Sequence, residues 1–281
     1  MDLRFYKLRV CDADLILVDD FEGDGRDRDW SAAARVILDR RRGVGADRLA
    51  VIAKAEADTW LRAFDPDGEP SPCLFDAALC AARFLLDSGR SGSGSARLRV
   101  PGGELGVDVL DAASLGLGLG EPRGLPGGEA VDQDAAALRR SVVEAGDERF
   151  EVLPLGLACG GVLAARAVAV FYGGGAKSAR ARIRAAARGV KAPEPLPVRL
   201  ISRGELWVAA PRGHGLDALS SAGIALAAAA AAGYAEREAL VRLRGGALWT
   251  DWADTGSLYA AARPEYVCRG EYHLDEAQGT K

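Results

Sequence analysis

The chain has little of what metal and thiol chemistry draw on. Two histidines, His214 and His273, accompany five scattered cysteines, Cys11, Cys73, Cys80, Cys159 and Cys268, with no CxxC pair among them. That leaves a zinc site little support, and most of the cysteines read as buried, reduced and structural, because a free thiol packs as a small apolar group. Long apolar runs are also missing: the stretch Ala225 to Ala232 is too short and too weakly apolar to span a bilayer. The opening Met1-Asp2-Leu3-Arg4-Phe5-Tyr6-Lys7 has no signal-peptide core, so a cytoplasmic protein is expected. A formal charge of −4 and a pI near 5.4 argue against general affinity for nucleic acid or anionic membrane. The basic set Lys177, Arg180, Arg182, Arg184 and Arg188 then reads as a solvated helix face. No Walker lysine pattern follows Gly173-Gly174-Gly175, and Asp19 to Gly25 lacks calcium-loop spacing and reads as a solvated loop.

What is present suffices for a normal core: 281 residues, 49% of them hydrophobic. Apolar runs at Arg4 to Val10, Leu15 to Val18, Trp60 to Phe64, Ala96 to Val100, Val162 to Phe171 and Leu206 to Ala209 predict strands. Helical spacing marks Trp30 to Arg40, Leu74 to Asp87, Ala176 to Arg188 and Ser220 to Ala232, with Gly89 and Gly233 as C′ glycines. The chain also echoes itself. Gly102-Gly103-Glu104-Leu105 returns as Gly245-Gly246-Ala247-Leu248, and Ser114-Leu115 as Ser257-Leu258, both after 143 residues. Two similar α+β lobes are expected, with Gly120 to Asp134 as linker and Trp207, Trp249 and Trp252 packing the second. Asp65-Pro66-Asp67-Gly68 and Pro211-Arg212-Gly213 each lead into an Ala-rich helix, so a ligand is expected in a cleft between the lobes, near the two helix N-termini.

Asp39-Arg40-Arg41-Arg42-Gly43-Val44-Gly45-Ala46-Asp47 resembles the D-R-x-x-G-I-G-A-D signature of diaminopimelate epimerase. Phe5-Tyr6-Lys7-Leu8 with Asp14 to Asp19, Leu115 to Pro122, Arg244 to Leu248 and Pro264 to Glu271 resemble other segments of that family, so the likeness covers nearly the whole chain. It implies an α+β fold of two pseudo-symmetric lobes, each a β-barrel-like sheet around a central helix. The lobes would be residues 1–122, joined by a C-terminal strand in 265–281, and residues 123–264. It also implies an active site between the lobes, no cofactor, and a homodimer. In family members one cysteine at the start of each central helix moves the α-proton, one as thiolate base and one as thiol acid.

Carried over residue by residue, the two cysteine positions fall on Leu74 and Ser220, and the adjoining G-N falls on Phe75-Asp76. Cys73 lies one residue early, a turn of about 100° on a helix, and Cys80 matches a structural cysteine. Pro211 stands where the family has an acidic residue, Ala13 where it has a substrate-binding asparagine, and Pro197 replaces another; Arg212 survives. A serine hydroxyl is too weak an acid for its alkoxide to serve as a carbon-acid base near neutrality, so two-thiol racemisation is excluded on this alignment.

The leading expectation is therefore a cofactor-free cyclase of natural-product biosynthesis, performing an intramolecular cycloaddition of a polyene or polyketide macrocycle. Prepaid orientation alone can lower such a barrier, by up to about 7–11 kcal/mol in ideal cases. The choice of cycloaddition follows a looser resemblance to epimerase-fold proteins of polyketide pathways. Ser220, Arg212 and Asp76 would orient or polarise a carbonyl, while Ala13, Asp65, Leu74, Phe75, Pro211, His214 and Ser221 would line the site of a largely apolar small molecule. The alternatives are a cofactor-independent isomerase of a small carboxylic acid using Asp76, Asp65 or His214, and a non-catalytic binding protein. In plainer readings Asp65 and Asp67 form a turn and His214 sits in an exposed loop.

Overall fold

The computed structural model describes residues 2–23, 28–55, 58–72, 74–92, 94–124, 141–145, 148–159, 162–172, 194–209 and 216–274. The described residues of Met1–Leu117 and Ala262–Lys281 form one compact unit, and those of Gly118–Pro211 and Gly215–Ala261 form a second.

The first unit opens with a hairpin, β1 (Asp2–Val10) and β2 (Ala13–Asp19). Helix α1 (Trp30–Ile37) then carries the chain to β3 (Arg48–Ala55), which lies parallel to β2 and folds back as β4 (Asp58–Phe64). Helix α2 (Phe75–Asp87) carries it to β5 (Ser95–Val100), parallel to β4, and on through β6 (Gly103–Val109) to the start of β7 (Leu115–Gly124). The last strand, β16 (Glu265–His273), pairs antiparallel with β1. Strict alternation in β5 buries Ala96, Leu98 and Val100 toward α2 and leaves the residues between them to solvent. Helix α2 is buried on nearly all sides because β1 to β6 all pack on it.

The second unit is a closed barrel. From the far end of β7 the ring runs through β9 (Glu148–Cys159), β10 (Val162–Phe171), β11 (Glu194–Ser202), β12 (Glu205–Val208), β13 (Glu238–Leu243), β14 (Gly246–Trp252) and β15 (Leu258–Ala262) back to β7. That makes eight strands with no open edge in the ring, while β8 (Ser141–Ala145) pairs with β9 outside it. Helix α3 (Ala218–Ala231) fills this unit, buried along almost its whole length and packed against β9 to β14. Its alanines make a narrow cylinder, and Gly223 narrows it further: a Cβ there would come within 2.6 Å of Leu119 Cδ1 on β7.

The same succession of pairings, hairpin, parallel step, hairpin, parallel step, hairpin, occurs in each unit. The echoed glycines sit in matching places. Gly102 (φ 94) is the second loop residue of the β5–β6 hairpin, and Gly245 (φ 82) that of β13–β14. Gly89 (φ 70) and Gly233 (φ 76) close α2 and α3 as C′ residues, the left-handed conformation that glycine adopts without strain.

Several expectations are corrected. Gly120 to Gly124 belong to β7 and not to a linker, because Glu121 to Gly124 pair antiparallel with β9; the rest of that stretch lies outside the described residues. Helix α1 ends at Ile37, three residues early, where the chain curls into the loop after it. Cys268 is exposed and Cys11 only half-buried, so of the described thiols Cys80 alone is sealed in the core. Asp19 and Asp20 are not solvated loop residues: Asp19 ends β2 and accepts from Arg90 at 2.5 Å, and Asp20 is buried. Trp252 packs in the core, whereas Trp249 stays exposed. The helix expected over Ala176 to Arg188 lies outside the described residues. The described chain is mostly sheet, with three helices, none of them long and apolar enough to cross a membrane.

Candidate functional site

The nine-residue motif Asp39 to Asp47 forms a wound loop whose work is structural. Asp39 Oδ1 accepts from the N–H groups of Arg41 (2.7 Å) and Arg42 (3.0 Å), and the N–H of Gly45, at φ 75, donates to Ile37 at 2.9 Å. This brings Arg40 against two carboxylates. Its guanidinium donates to Asp14 at 2.6 and 3.1 Å and to Asp47 at 2.7 Å. Lys7 Nζ adds a contact to Asp14 at 3.0 Å and donates to the Gly45 carbonyl at 2.6 Å. Backbone bonds finish the clasp, Asp47 N–H to Asp14 O (2.9 Å) and Asp14 N–H to Asp47 Oδ2 (3.2 Å). Burial raises the Asp14 carboxyl, but hydrogen bonds and charge from Arg40 and Lys7 override it and hold the group at about 2. Asp47 is pushed up, chiefly by burial.

The clasp fixes the β1–β2 turn, where Ala13 begins β2 half-buried. Beside it Cys11 has φ 56, a left-handed conformation uncommon outside glycine. Its thiol is pushed up to about 12 by burial and then by the charges of Asp76, Asp12 and Glu265. Those causes place Asp76 within electrostatic reach of the turn.

Asp76 lies in the first turn of α2 and is buried, 2% exposed. Leu74, the N-cap, offers no side-chain cap, and it and Phe75 are both buried. Cys80, one turn further on, has its thiol raised well above the ordinary value by burial and by Asp76. Neither described thiol near this end of α2 is a thiolate near neutrality. Asp65 makes a turn, as in the plain reading: its Oδ1 accepts from the N–H groups of Asp67 and Glu69, both at 2.9 Å, and Gly68 takes φ 80. A groove of about 450 Å³, lined by Tyr6, Phe84, Asp87 and Tyr266 among others, sits at the opposite, C-terminal end of α2.

The two serines of the second unit differ. Asp217 caps α3, its side chain accepting from Ser220 N–H at 2.7 Å, while Ser220 Oγ accepts from Asp217 N–H at 2.9 Å. This reciprocal capping box absorbs the Ser220 hydroxyl, which is fully buried. Sequence reading missed that role, although Asp217-Ala218-Leu219-Ser220 has the spacing for it. Ser221 is also fully buried, and its Oγ has no hydrogen-bond partner among the described residues. Cys73, Arg212, Pro211 and His214 lie outside the described residues, and among those described no cluster of side chains could hold a metal ion.

No family model matches the chain. It is 27% identical over 287 residues to the diaminopimelate epimerase of Pelotomaculum thermopropionicum, covering 96% of this chain and 99% of that one. Against the diaminopimelate epimerase of Desulforudis audaxviator it is 28% identical, again covering 96% and 99%. Among solved structures, a hydroxyproline epimerase from Agrobacterium vitis matches with a TM-score of 0.66 at 12% identity, over 99% of this chain and 94% of that one. A phenazine biosynthesis protein PhzF family member from Enterococcus faecalis matches at 0.63 and 12%, over 98% and 100%. A methylitaconate-delta-isomerase matches at 0.61 and 11%, over 100% and 97%. The fold is thus of the isomerase and epimerase type. Along its whole length the chain is similar to diaminopimelate epimerases, and it shares the fold of these epimerases and isomerases.

Proposed function

We propose that the chain is a cofactor-independent isomerase of a small carboxylic acid in which a carboxylate, Asp76, moves the proton that paired thiols move in the epimerases. The observation that carries this reading is Asp76 itself, buried in the first turn of α2 beside two thiols kept protonated. Full-length relatedness to epimerases and a fold shared with other isomerases support the reaction class. The resemblance puts Leu74 and Ser220 at the two cysteine positions, and the Ser220 hydroxyl is already bound within its helix cap. A general acid or base of this kind is worth about 10²–10⁴ in rate.

Incubation in heavy water with diaminopimelate, trans-4-hydroxyproline and methylitaconate tests it. One of them should gain solvent deuterium at carbon, and Asp76→Asn should slow that exchange at least about 100-fold. Exchange unaffected by Asp76→Asn would sink the assignment.

Leu74 and Phe75, buried where a thiol and its polar neighbours would stand, favour a second reading, the cofactor-free cycloaddition of a polyene. Turnover of a polyene without deuterium uptake would establish it over the first.

A further inference from the structure

The edge of a sheet carries unpaired N–H and C=O groups, and natural folds blunt or cover it. Among the described residues β16 stands at one end of the strand order, paired with β1 on one side and with nothing on the other. Its register with β1 shifts near Tyr266, but from Cys268 to His273 it runs regularly against Asp2 to Lys7. Tyr266 and Val267 are 43% and 53% exposed, Cys268 is exposed, and the groove bounded by Tyr6, Phe84 and Tyr266 opens beside them. Aromatic and aliphatic surface next to a free strand edge suits a protein partner that adds a strand.

The charges along β16 favour one such partner. In a two-fold dimer the strand meets its own copy antiparallel, and symmetry obliges one residue to face itself across the axis. Three registers keep most of β16 paired, those centred on Cys268, Arg269 and Gly270. With Cys268 at the axis, Glu265 meets Glu271 of the second copy; with Arg269 there, two guanidinium groups meet. Like charges directly opposite destabilise a strand pair. With Gly270 at the axis, Arg269 faces Glu271 of the second copy, and the same pair recurs on the other side of the axis. Arg269 has no ion pair among the described residues, and Glu271 holds only an exposed one, with Arg4 at 3.2 Å. Glycine at the axis also lets two backbones approach closely. A Cβ there would in addition meet the Phe5 ring of its own chain at 3.1 Å.

We infer that the free edge of β16 is a dimerisation surface whose partner is a second copy of this chain, paired antiparallel about Gly270 with reciprocal Arg269–Glu271 contacts. Such a dimer stands apart from the isomerase reading, since it uses neither Asp76 nor either helix N-terminus.

Sedimentation equilibrium of the full chain across the micromolar range tests this pairing. The wild type should be dimeric. Arg269→Glu should weaken association at least about tenfold, since it turns two attractive contacts into two repulsive ones. Glu271→Arg should act likewise, and the two exchanges together should recover much of the loss. Cys268 would face Tyr272 of the second copy, so its alkylation should slow as the wild type is concentrated. Should Glu271→Arg fail to fold, because it also meets Arg4 within its own chain, Arg269→Glu decides alone. A monomeric wild type, or a dimer indifferent to Arg269→Glu, overturns the inference. So does a dimer tightened by Glu271→Arg, the mark of the register centred on Cys268.

Discussion

Replacing Arg40 by alanine should destabilise the first unit by an amount that depends on pH. The guanidinium makes three hydrogen bonds to two carboxylates, whose side chains are 18% exposed for Asp14 and 29% for Asp47. Arg40 itself is half-exposed, so its pairs taken singly are each worth only about 0.2–1 kcal/mol. The larger effect lies in what remains. Asp14, held at about 2 against an ordinary 3.8, contributes about 2 kcal/mol at neutral pH. Because its folded value is lowered, that stability is present above pH 3.8 and is lost as pH falls through about 2. Without Arg40, two neighbouring carboxylates retain only Lys7 between them. We expect Arg40→Ala to cost about 2–3 kcal/mol at pH 7. That deficit should shrink as pH falls below 3.8 and be mostly gone near pH 2, where the wild-type Asp14 itself takes up a proton. Asp47, already raised in the wild type, should protonate first. Urea unfolding of both proteins at pH 7 and near pH 2, followed by tryptophan fluorescence, measures the difference. An equal deficit at the two values would refute the charge argument and leave only lost packing of the arginine stem.

Gly223→Ala should cost about 1–3 kcal/mol in the same assay, because the new methyl meets Leu119 at 2.6 Å and outweighs the helix-propensity gain. Gly68→Ala should cost about 2 kcal/mol, since φ 80 disfavours a side chain and the Cβ would lie 2.5 Å from both Ser31 O and Arg35 Nη1. With iodoacetamide at pH 8, peptide mass spectrometry should find Cys268 alkylated first among the three described thiols. Cys11, its thiol pushed up to about 12, should lag, and Cys80 should react only on unfolding.

The sequence was most legible where glycine is required. The echoed Gly102 and Gly245 and the closing Gly89 and Gly233 all take positive φ, which backbone geometry demands whatever packs around them. Elements defined by packing were harder to read. The end of β7 from Gly120, with its glycines and Pro122, reads as the start of a linker. It is strand because Glu121 to Gly124 pair with β9 in the barrel. The motif Asp39 to Asp47 was plain as a pattern, but its role in clasping Asp14 depends on a parallel strand pair that no local signal announces. At the candidate site, residue identity was readable and hydrogen-bond state was not. Ser220 was placed by its alignment with a cysteine, and only the turn of α3 shows its hydroxyl bound in the cap while that of Ser221 has no partner among the described residues.

The pairing of β16 with β1 has a consequence for biosynthesis. Asp2 meets His273, so β1 is completed by a strand made 271 residues later. The Phe5 side of β1 must wait through more than 250 residues of elongation before Gly270 and Tyr272 arrive to cover it. Until then the nascent first unit presents a raw strand edge beside Leu3 and Phe5, an invitation to other chains that a chaperone would have to guard. The barrel, whose strands all precede Glu265 in the chain, can close first.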